Sequence, residues 1–201
     1  MTAQSPDKYY YNGEEYFEYA HQGEELFDPR TYGFDPRSTC TACYRGFICE
    51  YEIADKQLFL KNLLITTGSD CYPDLNGVSV SIRGYEEVGL IFKRKKPIYD
   101  TSIYDFNMKK YKNVNLPLMY TGKSIVGKNF LREYYVHSPI QRPFTYEKLL
   151  ELSFEKGKLI EVVDFSEDAR NIREQVDLKD PEWREQIKKL SINYEKYWWI
   201  K

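Results

Sequence analysis

The sequence predicts an α+β fold: a mostly antiparallel, Tyr-rich sheet, twisted or partly closed, with a C-terminal amphipathic helix packed on it. Three observations predict it. Apolar and polar residues alternate over three pairs of segments, each pair joined by a short polar turn. Tyrosine is abundant, with 19 in 201 residues, and its ring and hydroxyl suit a half-buried pleated surface. The last part of the chain carries apolar residues at helical spacing.

The first hairpin runs from Lys8 to Tyr19. Asn12-Gly13 sits between Tyr9-Tyr10-Tyr11 and Glu14 to Tyr19, and a two-residue type I′ turn needs φ > 0 at both positions. Ala20 to Ser38 reads as loop, with Phe-Asp-Pro-Arg at Phe27 and again at Phe34; Asp before Pro starts turns. The strongest strand signal follows. Phe47, Cys49, Tyr51 and Ile53 fall on every second residue and share one face. Ile48 is the exception to a polar reverse side. Ala54-Asp55-Lys56-Gln57 turns the chain, and Leu58 to Ile65 returns.

Gly68 to Gly77 reads as loop. Val78, Val80 and Ile82 predict a short strand, and Val88 to Phe92 another. Tyr99 to Asn115 has no clean period and reads as loop or irregular edge. Leu116 to Tyr120 and Ser124 to Val126 predict strands around a turn at Gly122. Asn129 to His137 predicts a short helix. The third hairpin spans Tyr146 to Phe165, turning at Glu155-Lys156-Gly157-Lys158. Ser166 suits an N-cap, with Glu167 and Asp168 in the first helical turn. Asp180-Pro181 starts the last helix. Its stripe is Trp183, Ile187, Leu190, Tyr194 and Tyr197, read first as a face packed on the sheet and otherwise as a partner-docking face. No linker divides the chain, so residues 1–201 form one domain: a sheet-rich body over 8–165 and a helical element over 166–201.

Composition bounds the function. The net charge is −2, with 42% hydrophobic and 30% charged residues, an ordinary globular balance. Residues 1–80 hold 13 acids and 6 bases, while residues 81–201 hold 18 acids and 23 bases. An acidic front and a basic back suit steering of a charged partner. The N-terminus has no signal-peptide pattern and no apolar run reaches bilayer length, which predicts a cytoplasmic protein with reduced thiols and no membrane partner.

The candidate chemistry is sparse. Cys40-x-x-Cys43 lacks a second ligand pair, so no metal is expected. Gly122-Lys123-Ser124 resembles the end of a P-loop, but Pro117 stands where the first Gly belongs. Glu50 and Glu52 share one strand face, about 7 Å apart, and Arg45 is placed to pair with one of them. With Cys49, these are the ligand-pocket candidates. Lys93, Arg94, Lys95, Lys96, Lys109, Lys110 and Lys112 are the polyanion-binding candidates, interleaved with Phe92, Tyr99, Tyr104, Phe106 and Tyr111. Bases follow phosphates and rings stack on nucleobases. No cofactor is expected. RGFICEYEI and LELSFEKGKL are similar to stretches of small bacterial proteins, and no activity follows from that.

Three functions follow, the first ahead of the other two. The first is a non-enzymatic protein that binds another protein, of immunity or inhibitor type, through Tyr/Glu-rich surface such as Tyr9 to Tyr19 or the loop at Tyr32. The second is nucleic-acid or polyanion binding through residues 93–128. The third is an enzyme or small-ligand binder with a pocket in the curled sheet.

Overall fold

The computed structural model describes residues 3–23, 25–38, 41–69, 71–81, 108–138 and 141–190. All three hairpins form at the expected turns, but the second strand of the first hairpin continues to Gly23, through residues read as loop, because it pairs with a later strand there. Strands β1 (Lys8–Tyr11) and β2 (Glu14–Gly23) are joined by Asn12 and Gly13 at φ 51° and 76°. Strands β3 (Phe47–Ala54) and β4 (Gln57–Ile65) are joined by Asp55 and Lys56 at φ 49° and 62°. Short strands β5 (Lys109–Tyr111) and β6 (Leu116–Pro117) precede β7 (Gly122–Phe130). The last pair is β8 (Tyr146–Glu155) and β9 (Lys158–Asp164), with Lys156 and Gly157 at φ 48° and 78°. Left-handed φ at both turn residues matches the twist of the strands that flank it.

The sheet is not partly closed. Seven strands close into a barrel in the order β3-β1-β2-β7-β8-β9-β4, and β4 returns to β3. One pairing is parallel: β1 lies against β3, with Lys8 opposite Glu50 and Tyr11 opposite Ile53. A simple meander is thereby excluded. The open side of β4 is shared by three partners in turn. β9 takes Gln57, β6 takes Phe59 and Leu60, and β5 takes Leu63 to Ile65.

The closing seam is therefore narrow. Leu58 N–H donates to Gly157 O at 2.8 Å, and Leu159 N–H donates to Lys56 O at 2.7 Å. The Gln57 side-chain amide adds a bond to Leu118 O at 3.0 Å. Gly157 is required twice over here. Its φ is left-handed, and a Cβ at this position would stand 1.8 Å from Leu118 O.

The barrel interior is filled by the inward set of each strand. It includes Tyr9, Tyr16, Phe47, Cys49, Tyr51, Leu58, Leu60, Leu63, Val126, Leu152 and Phe154, all buried. The predicted alternation of β3 is the observed inward face. A bulge between Glu50 and Tyr51 lets both Leu60 and Leu63 point inward on β4; an extra residue resets a period of two. Ile48 is buried outside the barrel with Cys43, Leu64 and Met108.

A second core covers the outer wall. Ile125 and Leu149 of the barrel pack with Phe144, Ala169, Ile172, Val176 and Ile187. Helix α1 (Ser166–Arg173) supplies Ala169 and Ile172, helix α2 (Trp183–Leu190) supplies Ile187, and Val176 lies between them. Ile187 is fully buried and Trp183 packs against this core, so the described half of the predicted stripe faces the barrel. Fully burying a side chain of Ile size is worth about 2 kcal/mol. Helix α2 starts at Trp183 rather than at Pro181, and Asp180 accepts from Glu182 N–H at 2.8 Å in the turn that precedes it.

Other expectations are corrected. Ser166 is not an N-cap: its Oγ accepts from Leu149 N–H at 3.0 Å, and the Asp164 carboxylate takes Ser166 N–H at 3.0 Å. Asn129 to His137 is not a helix. It holds the end of β7 and a 3-10 turn at Arg132–Tyr134, because main-chain pairing to β8 runs on to Phe130–Tyr146. Gly122 begins a strand rather than a turn. Val78 to Ser81 makes isolated bridges, and β5 lies in the stretch read as irregular. Ile82 and the strand read at Val88 to Phe92 lie outside the described residues.

The two turn glycines give a test of the seam. Gly157→Ala should lower stability by clearly more than Gly13→Ala. Both pay a left-handed penalty of about 1–2 kcal/mol, but a Cβ on Gly13 meets open space whereas one on Gly157 meets Leu118 O. Urea unfolding of the two variants, read as midpoint shifts, checks the order.

Candidate functional site

The structure separates the four pocket candidates. Arg45 and Cys49 meet on one side of β3, around a residue not singled out from the sequence, Asp7. Asp7 precedes β1 and its side chain is 2% exposed. Its carboxylate accepts from Cys49 N–H at 2.6 Å and pairs with the Arg45 guanidinium. Arg45 is held further by a bond from Nε to Phe47 O at 3.0 Å and by the Phe47 ring, 4.7 Å from the guanidinium carbon. It does not pair with Glu50 or Glu52.

Those two carboxylates lie on the outer face of β3. Glu50 is buried and accepts from the Asn62 amide and from Lys110 Nζ at 3.5 Å. Glu52 accepts from Lys61 Nζ at 2.5 Å, whose ammonium stands 5.0 Å from the centre of the Tyr10 ring. Each carboxylate has its own cation, so the pair is built as two ion pairs rather than as an acid and a base sharing one substrate.

Asp7 belongs to a network inside one end of the barrel. Tyr9 on β1 donates to Glu18 on β2 at 3.3 Å and shares a hydrogen bond of 3.0 Å with Ser124 on β7. His21 Nδ1 stands 3.6 Å from Glu18. The rings of Tyr9 and Tyr51 lie 5.0 Å apart. Tyr120 closes the group, donating to Gln22 O and Lys123 O at 2.8 and 2.9 Å. These side chains converge because each sits at an inward position of its strand or at the strand's end.

Burial sets the protonation of this network. It pushes the Asp7 carboxyl up to about 6, against the pull of Arg45 and the Cys49 N–H and with a further push from Glu18. Arg45 stays protonated because Asp7 outweighs the cost of its own burial. Burial also drives the Cys49 thiol and the Tyr9 and Tyr51 hydroxyls well above their ordinary values. A hydrogen bond to Glu18 raises His21. At neutral pH the network holds an Asp7–Arg45 ion pair and neutral thiol and phenols. Cys49 and Ser124 are both fully buried, so neither presents a nucleophile to solvent.

The thiols are dispersed. Cys43 is buried in the small outer cluster, Cys49 lies in the barrel and Cys71 is exposed; Cys40 lies outside the described residues. Among the described residues no group of three or more His, Cys, Asp and Glu is placed to hold a metal ion.

The basic stretch is partly neutralised where it is described. Lys109 and Lys110 are on β5, and Lys110 pairs with Glu50. Lys123 pairs with Glu151 at 2.7 Å, and Lys128 pairs with Glu14. Lys112 is exposed. Lys93, Arg94, Lys95 and Lys96 lie outside the described residues.

Among the described residues, a groove of about 400 Å³ lies beside the seam. Tyr11 and Ile53, at the ends of β1 and β3, form one wall, and Leu159, Ile160 and Val162 of β9 form the other. Asp55, Lys56 and Glu161 stand at its rim. Ile160 is 63% and Val162 38% exposed. Past Leu159, β9 pairs only with β8 among the described residues.

The groove and the Asp7 network both escaped the sequence. Glu18 carried a signal in hindsight, since it falls two residues after Tyr16 on the inward face. Asp7 carried none, because its partners come from a strand forty residues away. Compared with known proteins, the chain matches no family model, no curated protein and no solved structure.

Two substitutions test the network. A raised carboxyl binds its proton more tightly folded than unfolded, so Asp7's contribution to stability is full below about pH 4 and falls as pH rises through about 6. The stability difference between wild type and Asp7→Asn, taken from urea midpoints across pH, should therefore decline over that window and level off above it. Arg45→Ala should cost about 1–3 kcal/mol at pH 7, because the buried Asp7 carboxylate loses its charged partner, while Arg45 itself is 39% exposed and water offsets part of the loss. That loss should shrink at pH 4, where Asp7 is neutral.

Proposed function

We propose that this protein acts by binding another protein, in the manner of an inhibitor or immunity protein, and that the groove beside β9 is the contact surface. One observation carries the reading: the wall of a filled barrel leaves an apolar strand edge uncovered, with Ile160 and Val162 exposed beside a groove. Apolar side chains ringed by a few charges are the composition of a binding surface. The interior supports the same reading from the other side. Its polar groups are committed to one another, and its described nucleophile types are buried.

Polyanion binding has less support. Three of the described lysines of the basic stretch already face carboxylates.

The test is a quantitative pull-down from nuclease-treated native lysate with wild type and an Ile160→Asp variant of matched stability. A stoichiometric protein held by wild type and lost by the variant is expected. Purified partner should then bind the variant at least about tenfold more weakly, as for loss of an apolar anchor. Equal capture by both proteins, or capture of nucleic acid alone, overturns the reading.

A further inference from the structure

We infer that the open side of β9 takes an extended segment of the partner protein as an added strand, with apolar residues against Val162 and basic residues beside Glu161 and Asp55. This rests on the reading of the groove as a protein-binding surface and specifies the chemistry of what enters it.

Main-chain geometry comes first. Leu159 points its N–H at Lys56 O, away from β8. Ser153 lies opposite Glu161, Leu152 opposite Val162 and Leu150 opposite Asp164, with Ile160 as the bulged residue. Alternation along unbulged β8 turns Val162 and Asp164 to the same side as Leu159. The N–H and C=O groups of Val162 thus face the groove and those of Asp164 continue the same edge, with no strand to receive them among the described residues. An open edge of this kind is a template for another chain, and strand addition is an established mode of peptide recognition.

A second copy of this chain is a poor occupant. Antiparallel self-pairing centred on Glu161 sets Glu161 against its own copy. Moving the centre by one residue in either direction sets Glu161 against Leu159 or Val163. Like charges directly opposite one another destabilise a ladder, and a carboxylate against an aliphatic side chain gains nothing. Every central register is penalised by the same residue, which favours a different sequence in the groove.

The rim chooses that sequence. Asp55 and Glu161 supply two carboxylates against the single ammonium of Lys56. Neither carboxylate is in an ion pair among the described residues. Val162 shares the face of Leu152, toward the barrel interior, and Tyr11, Ile53 and Leu159 continue that apolar floor. A segment alternating aliphatic and basic residues fits both the floor and the rim.

The experiment uses a short, capped, fluorescein-labelled peptide of alternating lysine and valine, titrated with the full chain by anisotropy. Three peptides accompany it: a glutamate–valine analogue and two versions N-methylated on alternate residues. The lysine–valine peptide should bind, the glutamate analogue at least about tenfold more weakly. Only one of the two N-methylated peptides should lose binding, because only one set of N–H groups faces β9. Glu161→Lys should reverse the charge preference. Val162→Pro, which removes an edge N–H, should weaken every peptide, with circular dichroism confirming its fold.

Equal binding of both N-methylated peptides overturns strand addition, as does binding unaffected by charge or no binding at all. These outcomes are separable from failure of the broader reading. A lysate partner that Ile160→Asp loses, with no N-methylation pattern in the peptides, keeps the surface and overturns only the added strand.

Discussion

Two main-chain hydrogen bonds close this barrel. They join Lys56 and Leu58 to Gly157 and Leu159, and most of the molecule's distinctive geometry follows from how short that contact is. β4 has one free side and three claimants for it. β9 meets β4 only at Gln57–Lys158, where both strands begin and then run in opposite directions, and β6 and β5 pair the later residues of β4. β9 then runs on past its partner, and its edge and apolar side chains are left beside the hairpin turns. A wider seam would have covered Val162 and erased the groove.

The other unusual junction, parallel β1 against β3, is tied by charge. Parallel β1 and β3 have no tight turn to set their register. The Asp7 carboxylate does part of that work, taking the Cys49 N–H just before the ladder begins at Lys8–Glu50. Arg45, fixed against Phe47, neutralises it. An ion pair of this type adds little net stability but is expensive to break, so it favours one register over its neighbours.

What could be read from the sequence was what short-range physics decides. Asn12-Gly13 and the alternation of Phe47 to Ile53 give hairpins whatever the rest of the chain does. The parallel pairing of β1 with β3, the sharing of β4 and the ring closure depend on contacts between distant segments, and no local period records them. β7 was undersized for a related reason: Lys123, Gly127 and Lys128 interrupt its apolar pattern, while its register against β8 is carried by main-chain bonds. Ser166 was misread because a strand end and a helix start compete for it, and the Leu149 N–H takes the hydroxyl. Of the pocket candidates, Arg45 and Cys49 do converge. Glu50 and Glu52 are placed elsewhere by the bulge-adjacent outer face, and Asp7, which brings Arg45 and Cys49 together, has no sequence signature.

The pairing of Gln57 with Lys158 also dates the barrel's completion during synthesis. A nascent chain can form the first hairpins early, from neighbours in sequence. Closure waits until the third hairpin has left the ribosome, about half the chain later. Until then the start of β4 is unpaired, although β6 and β5 can already pair its later residues, and Leu58, Leu60 and Leu63 lack the cover of Leu152 and Phe154. Non-local pairings of this kind are slow, and their unpaired edges are exposed while they wait. The narrowest joint in the finished protein is thus also a late one.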